Sequence, residues 1–381
     1  MKTLYIHIGM AKTATTSLQF FCKENAGILA KKGYCYPIFP FSYPGVSPGH
    51  NGRFLLGAPE NEEEQKARDE GKGNFAEGMR IVNELFLTND NVIVSDERIW
   101  RVIDSENKNL LNVMHKEALQ GGFQIHIVVY LRRQDKYFLS HWNQRTKKRN
   151  KVDTFEEFEN TESRARLDYY AKLNRIAEIV GKENITVRRF EKEQFNGGSI
   201  YSDFLSVFGL ELTEEYHISQ EVRNTGLFGN MHEVKRVLNA LPQMGDRKQH
   251  NYLVDILQQC SKLSGENYPN EMWTKEERAA FLEDYREGNR KVAEEYFCEP
   301  GEELFDDTFE DLPKWEKDNP YMIDDLIRII GVAVLQLHQE NLELRQKFKQ
   351  ETDNINMSFY KIKHPFWTIF HKVKIKLGFK K

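Results

Sequence analysis

One lysine and four hydroxyl-bearing residues crowd the end of a single apolar run, Leu4-Tyr-Ile-His-Ile-Gly-Met-Ala-Lys-Thr-Ala-Thr-Thr-Ser17. Residues 4–9 read as a buried strand. Residues 15–31 carry Leu18, Phe21, Cys22, Ala26 and Leu29 at helical spacing. The loop between them opens a helix, and backbone N–H groups there attract an anion. Thr13, Thr15, Thr16 and Ser17 add hydroxyl donors. Lys12 offers a point charge for an oxygen that becomes negative during a reaction. The pattern is not GxxxxGK[ST], because the lysine comes early and no Gly-Lys pair follows. The plain alternative is a Thr/Ser-rich cap on an ordinary helix.

A second constellation is Leu131-Arg132-Arg133-Gln-Asp-Lys-Tyr-Phe-Leu-Ser140. Residues 124–131 read as a strand that delivers Arg132 at its end. Ser140 follows about two helical turns later. Together they suit a second phosphate, which arginine grips through its planar fork. The alternative is a solvated basic helix start.

These residues need a frame. Further strands are expected at 91–95 and 185–190, and helices at 168–180 and 199–208. A Pro/Gly/aromatic loop spans 37–57 and an acidic insert 59–73. Near-continuous β-branched strands separated by helices predict an α/β fold with a mostly parallel sheet covered on both faces. Ligands in such folds bind at the carboxyl ends of the strands. Polar clusters fall at those ends: 12–17, Asp96-Glu97-Arg98, Arg132-Arg133 and Glu191.

The 381 residues suffice for one large domain or two small ones. A net charge of −4 argues against general electrostatic binding of nucleic acid. Cys22, Cys35, Cys260 and Cys298 show no CxxC spacing, which suits a reducing compartment and gives no metal signal. The apolar start is cut short by Lys12, so a cytoplasmic location is expected. The best apolar window, 327–337, is too short to span a membrane. From about residue 225 the chain reads mainly as helix. Residues 358–381 hold seven lysines and no acidic residue, interleaved with aromatics. That tail reads as a solvated helix, as a basic element on the anionic inner face of a membrane, or as a grip on an acidic glycan.

Taken together, the two constellations resemble sulfotransferases that use 3′-phosphoadenosine 5′-phosphosulfate (PAPS), specifically the bacterial carbohydrate type. The phosphosulfate loop of that family reads approximately H-I-G-x-x-K-T-G-T-T-S. The stretch 7–17 matches it except for Ala14 in place of glycine. The family's 3′-phosphate motif, an arginine at a strand end and a serine eight positions on, is matched by Arg132 and Ser140. Further similarity lies at Asp168-Tyr-Tyr, Val187-Arg-Arg-Phe-Glu191, Asp203-Phe-Leu, Arg223-Asn224 and Leu304-Phe305, so the likeness runs to about residue 307.

The resemblance implies a P-loop-like three-layer domain, residues 1–330, and a helical extension, 331–381. It implies sulfuryl transfer to a hydroxyl on a carbohydrate, a polysaccharide or glycolipid, without a metal. Lys12 would neutralise the leaving oxygen. Thr13, Ala14, Thr15, Thr16 and Ser17 would cradle the 5′-phosphosulfate. Arg132 and Ser140 would hold the 3′-phosphate, joined by Arg223. Alanine at 14 suits the loop if its φ stays negative.

A base must take the acceptor's proton. Glu97, after the strand 91–95, is the first candidate, and the alternative is that it pairs with Arg98 or Arg101. His50, in the glycine-rich loop, is the second. His7 reads as a core histidine. The rival enzyme is a nucleotide kinase or ATPase in which Asp96 helps hold Mg²⁺. A non-catalytic, sulfotransferase-like binding protein is the third reading.

Overall fold

A computed structural model of the chain describes residues 1–363, except 45, 47–48, 60–62, 65, 67–69, 104–108, 163, 220–225, 264, 266–267, 307 and 310–312. Its elements run β1 Thr3–His7, α1 Thr15–Glu24, α2 Ala26–Lys31, β2 Tyr34–Cys35, α3 Gly73–Leu85, β3 Asn91–Ser95, α4 Arg98–Val102, α5 Leu110–Gly121 and β4 Gln124–Leu131. They continue with α6 Gln134–Arg149, α7 Phe155–Thr161, α8 Tyr169–Val180, β5 Ile185–Arg189, α9 Ile200–Ser206, α10 Gly229–Leu238, α11 Arg247–Ser261, α12 Lys275–Phe297 and α13 Met322–Lys363.

The sheet order is β2-β3-β1-β4-β5, and every pair is parallel. The strands are apolar on both faces because helices cover both. Leu4, Ile6, Val92, Val94, Ile127 and Val129 point to one core. Ile93, Val128 and Tyr130 point to the other, against Leu18 and Phe21 of α1 and Phe204 of α9. The chain therefore forms the expected α/β three-layer frame. β1 lies at its centre, where the strand order reverses, and that crevice is where such sheets hold ligands.

Several local expectations shift. The helix read over 15–31 divides at Asn25, whose side chain donates to the carbonyls of Phe21 and His217. The two-residue β2 and the helices α3 and α5 were not read from the sequence. The expected boundary at 330/331 falls inside α13, which is continuous from Met322. Its first turns pack on α10 and α11 through Ile329, Val332 and Ala333. Most of the lysine-rich run 358–381 lies outside the described residues, as does Arg223. No described helix is long and apolar enough to cross a membrane. The four cysteines are unpaired.

Candidate active site

Past His7 the chain stays tied to β4: the amides of Ile8 and Met10 donate to the carbonyls of Val128 and Tyr130. The loop then turns through two left-handed residues, Lys12 at φ 72° and Ala14 at φ 56°. The condition set for alanine at 14, a negative φ, is thus not met. Alanine holds the conformation a glycine would adopt, because the turn into α1 requires it. A non-glycine residue there costs about 1–2 kcal/mol. Ala14 is the N-cap of α1 and gives no side-chain cap, so first-turn amides remain without a capping oxygen.

One of the four hydroxyls turns inward. Thr13 is fully buried and its Oγ1 donates to the Met10 carbonyl at 2.7 Å, closing the loop from within. Its hydroxyl proton is therefore committed, contrary to the expected role as a phosphosulfate donor. Thr15 is buried, and Thr16 and Ser17 are half-buried on the first turn of α1.

Arg132 leaves the end of β4 and turns back onto the loop. Its Nη1 donates to the carbonyl of Lys12 at 2.9 Å, and its guanidinium lies 5.6 Å from the centre of the Phe190 ring. Tyr169 fixes the backbone by donating to the Arg132 carbonyl at 2.6 Å. Neighbouring Arg133 is structural: it pairs with Asp135 and donates to the Asp306 carbonyl.

Lys12, Arg132 and Ser140 border one cavity of about 750 Å³, within the range of cofactor sites. Lys147 and Lys148 of α6 border it too. Burial, then the charges of Lys148, Lys147 and Arg132, lower the Lys12 ammonium to a pKa of about 8. Lys147 is lowered to about 8 by burial and Lys148. Crowded, poorly hydrated cations of this kind make a strong anion site. Sequence reasoning missed Lys147. The signal was there, since Ser140 and Lys147 are two helical turns apart on one face of α6. Carboxylates line the same cavity, among them Asp135, Glu191, Glu193, Glu233, Glu271 and Asp306. Burial raises the Glu191 carboxyl.

The two candidate bases stand together elsewhere. His50 Nδ1 lies 3.4 Å from Glu97 Oε2 and 3.8 Å from Asp96 Oδ2. The loop around His50 is pinned along β3: Asn51 donates to the Ile93 carbonyl and accepts from the Ser95 amide, and the Gly52 amide donates to the Ser95 carbonyl. A Cβ at Gly52 would sit 3.0 Å from the Ser95 backbone, tighter than ordinary contact, so glycine suits this close approach. Gln19 of α1 donates to Glu97 Oε2 at 3.1 Å and to Ser95 Oγ at 3.2 Å. His7 donates to or accepts from Ser95 Oγ at 2.8 Å, and burial lowers it to about 4, a core histidine as read. Glu97 backs onto Gly9, where an added Cβ would meet its Cβ at 2.9 Å. His50 borders a second cavity of about 100 Å³ with Phe39, Phe41 and Tyr43. The cavity that Lys12 and Arg132 border is thus not bordered by His50 or Glu97.

Asp96 is fully buried. Its Oδ2 accepts from Arg53 Nε at 2.6 Å and its Oδ1 from the Arg98 amide at 2.8 Å. The sequence spacing shows no metal cluster, but the fold brings His50, Asp96 and Glu97 within ligand reach of one another. The guanidinium on Asp96 opposes a cation there, and it equally opposes the Mg²⁺ role of the kinase reading.

No family model matches the chain. Over 175 residues it is 33% identical to an uncharacterized protein of Archaeoglobus fulgidus. The match covers 45% of this chain and 45% of that one, so the chain spans just under half the relative's length. Among solved structures, a sulfotransferase from Alicyclobacillus acidocaldarius covers 66% of this chain and 99% of its own, with a TM-score of 0.33 and 14% identity. A superposition that loose carries no weight for function.

Proposed function

We propose that the protein moves a sulfuryl group from PAPS to a hydroxyl acceptor, a carbohydrate on a polysaccharide or glycolipid. The observation that supports this is the meeting of Lys12 and Arg132 in one cavity with Ser140, where Lys147 and Lys148 add positive charge. A donor with phosphates at both its 5′ and 3′ positions needs two anion grips, and one nucleotide-sized cavity offers them.

Sulfuryl transfer, like phosphoryl transfer, proceeds by loose in-line displacement, so positioning and charge stabilisation dominate. The acceptor oxygen forms its bond to sulfur as the bond from sulfur to the phosphate oxygen breaks. Lys12, still largely protonated at neutral pH, neutralises that leaving oxygen. The first-turn amides of α1, with Thr15, Thr16 and Ser17, hold the 5′ group. Arg132 and Ser140 hold the 3′-phosphate, and Arg223 is a further candidate for it. The acceptor's proton passes to Glu97, which Gln19 orients. His50 beside it shares the proton or the resulting charge. The smaller aromatic cavity next to His50 suits a sugar ring. A lipid-linked acceptor would give the basic run 358–381 a purpose at the inner membrane face. Unchanged liposome partitioning after its deletion would remove that part.

Labelled PAPS incubated with extracts of the native host tests the proposal. A labelled product sensitive to glycosidases is expected with the intact chain and not with Lys12→Ala. Label transferred equally by that variant would defeat the reading.

A further inference from the structure

The helix α13 runs for 42 residues, about 63 Å at the α-helical rise. Among the described residues, contacts with the rest of the chain are confined to its start. Residues 337–360 are exposed on every side, although most helical stability in proteins comes from a packed apolar face.

Seven of its exposed apolar residues, with Asn341, alternate by three and four, while Leu326, Leu335 and Leu342 lie beside that series. Ile323, Ile330, Leu337 and Leu344 recur every seven residues, and all four are exposed. Between them, Ile327, Val334, Asn341 and Phe348 recur with the same period. The first set occupies the d positions of a heptad repeat and the second the a positions. A narrow seam of this period over nearly four heptads is the pattern of a coiled coil rather than of a helix lying on a lipid surface. Ile323 is 72% exposed, Ile330 63% and Leu344 63%, so the seam is open to a partner.

We propose that this seam pairs with that of a second copy of the chain, in register and parallel, as a two-stranded coiled coil. Three observations select that occupant. In the later half of the seam Val334 at a with Leu337 and Leu344 at d is the combination that favours two strands, whereas Ile327 at a with Ile323 and Ile330 at d in the earlier half does not select that number. Asn341 falls at a central a position, where its amide pairs with its own counterpart across a parallel two-fold axis and fixes register. In the single chain that amide donates back to the Leu337 carbonyl at 2.8 Å. Glu340 at g then faces Arg345 at e of the partner subunit, five residues on, and the symmetric pair forms opposite. An antiparallel pairing about Asn341 would set Glu340 against Glu340 instead.

The body of the molecule leaves room for this. Ala333, at g, borders the seam with a methyl group alone, while Asp325, Ile329 and Val332, which also dock α13 onto α10 and α11, occupy the c and f positions. Those lie on the far side of the helix from a and d, so two bodies flank the seam without entering it.

Sedimentation equilibrium of the full chain tests the pairing. The expected mass is twice the 44.9 kDa of one chain. Leu337→Glu combined with Leu344→Glu should halve that mass and leave the unfolding midpoint of the body unchanged, because neither side chain packs on it. Leu344→Cys in a Cys298→Ser background should oxidise to a covalent dimer, since parallel d positions lie within disulfide reach. A monomer for the unaltered chain would overturn the proposal, as would a mass that ignores the double substitution. A dimer in which Leu344→Cys fails to cross-link would overturn the parallel register.

Discussion

Arg132 donates from Nη1 to the carbonyl oxygen of Lys12 at 2.9 Å. This bond joins the two constellations, since it ties the end of β4 to the loop after β1 and aims both cations into one cavity. Arg132→Ala removes a charged donor and frees the loop. Loss of a hydrogen bond to a charged group weakens an interaction by about 1.5–3 kcal/mol, which is roughly tenfold to a hundredfold in affinity. Calorimetric titration with adenosine 3′,5′-bisphosphate should show that loss. Arg132→Lys should recover only part of it, because an ammonium cannot both reach the carbonyl and fork onto a phosphate. Equal affinity for all three proteins would separate Arg132 from the anion site.

Ala14 sits at φ 56° and its neighbour Lys12 at φ 72°. Ala14→Gly should stabilise the fold by about 1 kcal/mol through release of that strain, read as a higher urea midpoint at constant m. Ala14→Val should destabilise it by more. If glycine at 14 lowered stability, the left-handed assignment would be wrong.

Lys12 titrates near 8, against 10.5 ordinarily, because it is buried among other cations. The folded state therefore binds that proton less tightly than the unfolded chain. The penalty of holding it charged is present below pH 8 and is relieved as pH rises from 8 toward 10.5. Anion binding has the opposite sign, since the bound dianion needs the ammonium. Affinity for the bisphosphate should be greatest near pH 7, where its phosphates are dianions and Lys12 is charged, and fall about tenfold per unit above pH 8. Lys147, held near the same value, steepens the fall. Lys12→Ala with Lys147→Ala should flatten it, and a pH-independent affinity in the unaltered protein would contradict the assignment.

Glu97 and His50 stand apart from the cationic cavity and against each other. Glu97→Gln should leave bisphosphate affinity within twofold while slowing transfer about 10²–10⁴-fold, the usual contribution of a general base. His50→Asn should slow transfer without weakening the bisphosphate. Single-turnover transfer to the host acceptor reads both effects. If binding and transfer fell together, the pair would belong to the donor site.

The frame was legible where local pattern decides it. Val92-Ile-Val94 and 125–131 could only be buried strands, and all four polar clusters do fall at strand ends. β2 was not legible because two residues carry no periodicity. The His50–Glu97 contact was invisible because it depends on Asn51 clamping a long loop to β3 across 42 positions of sequence. The loop's chemistry was half legible. Residue types announced an anion site, but the inward turn of Thr13 and the positive φ of Ala14 follow from how the loop closes on Met10 and β4, which spacing does not encode.

The central claim is that the cavity holds a nucleotide with phosphates at both positions and without a metal. Thermal unfolding in excess chelator with adenosine 3′,5′-bisphosphate measures it most directly, because a ligand that binds only the folded state raises the midpoint. The account predicts a rise with the bisphosphate alone, none with adenosine 5′-phosphate at the same concentration, and none in Lys12→Ala with Arg132→Ala. A midpoint that ignores the bisphosphate but rises with Mg-ATP would contradict it.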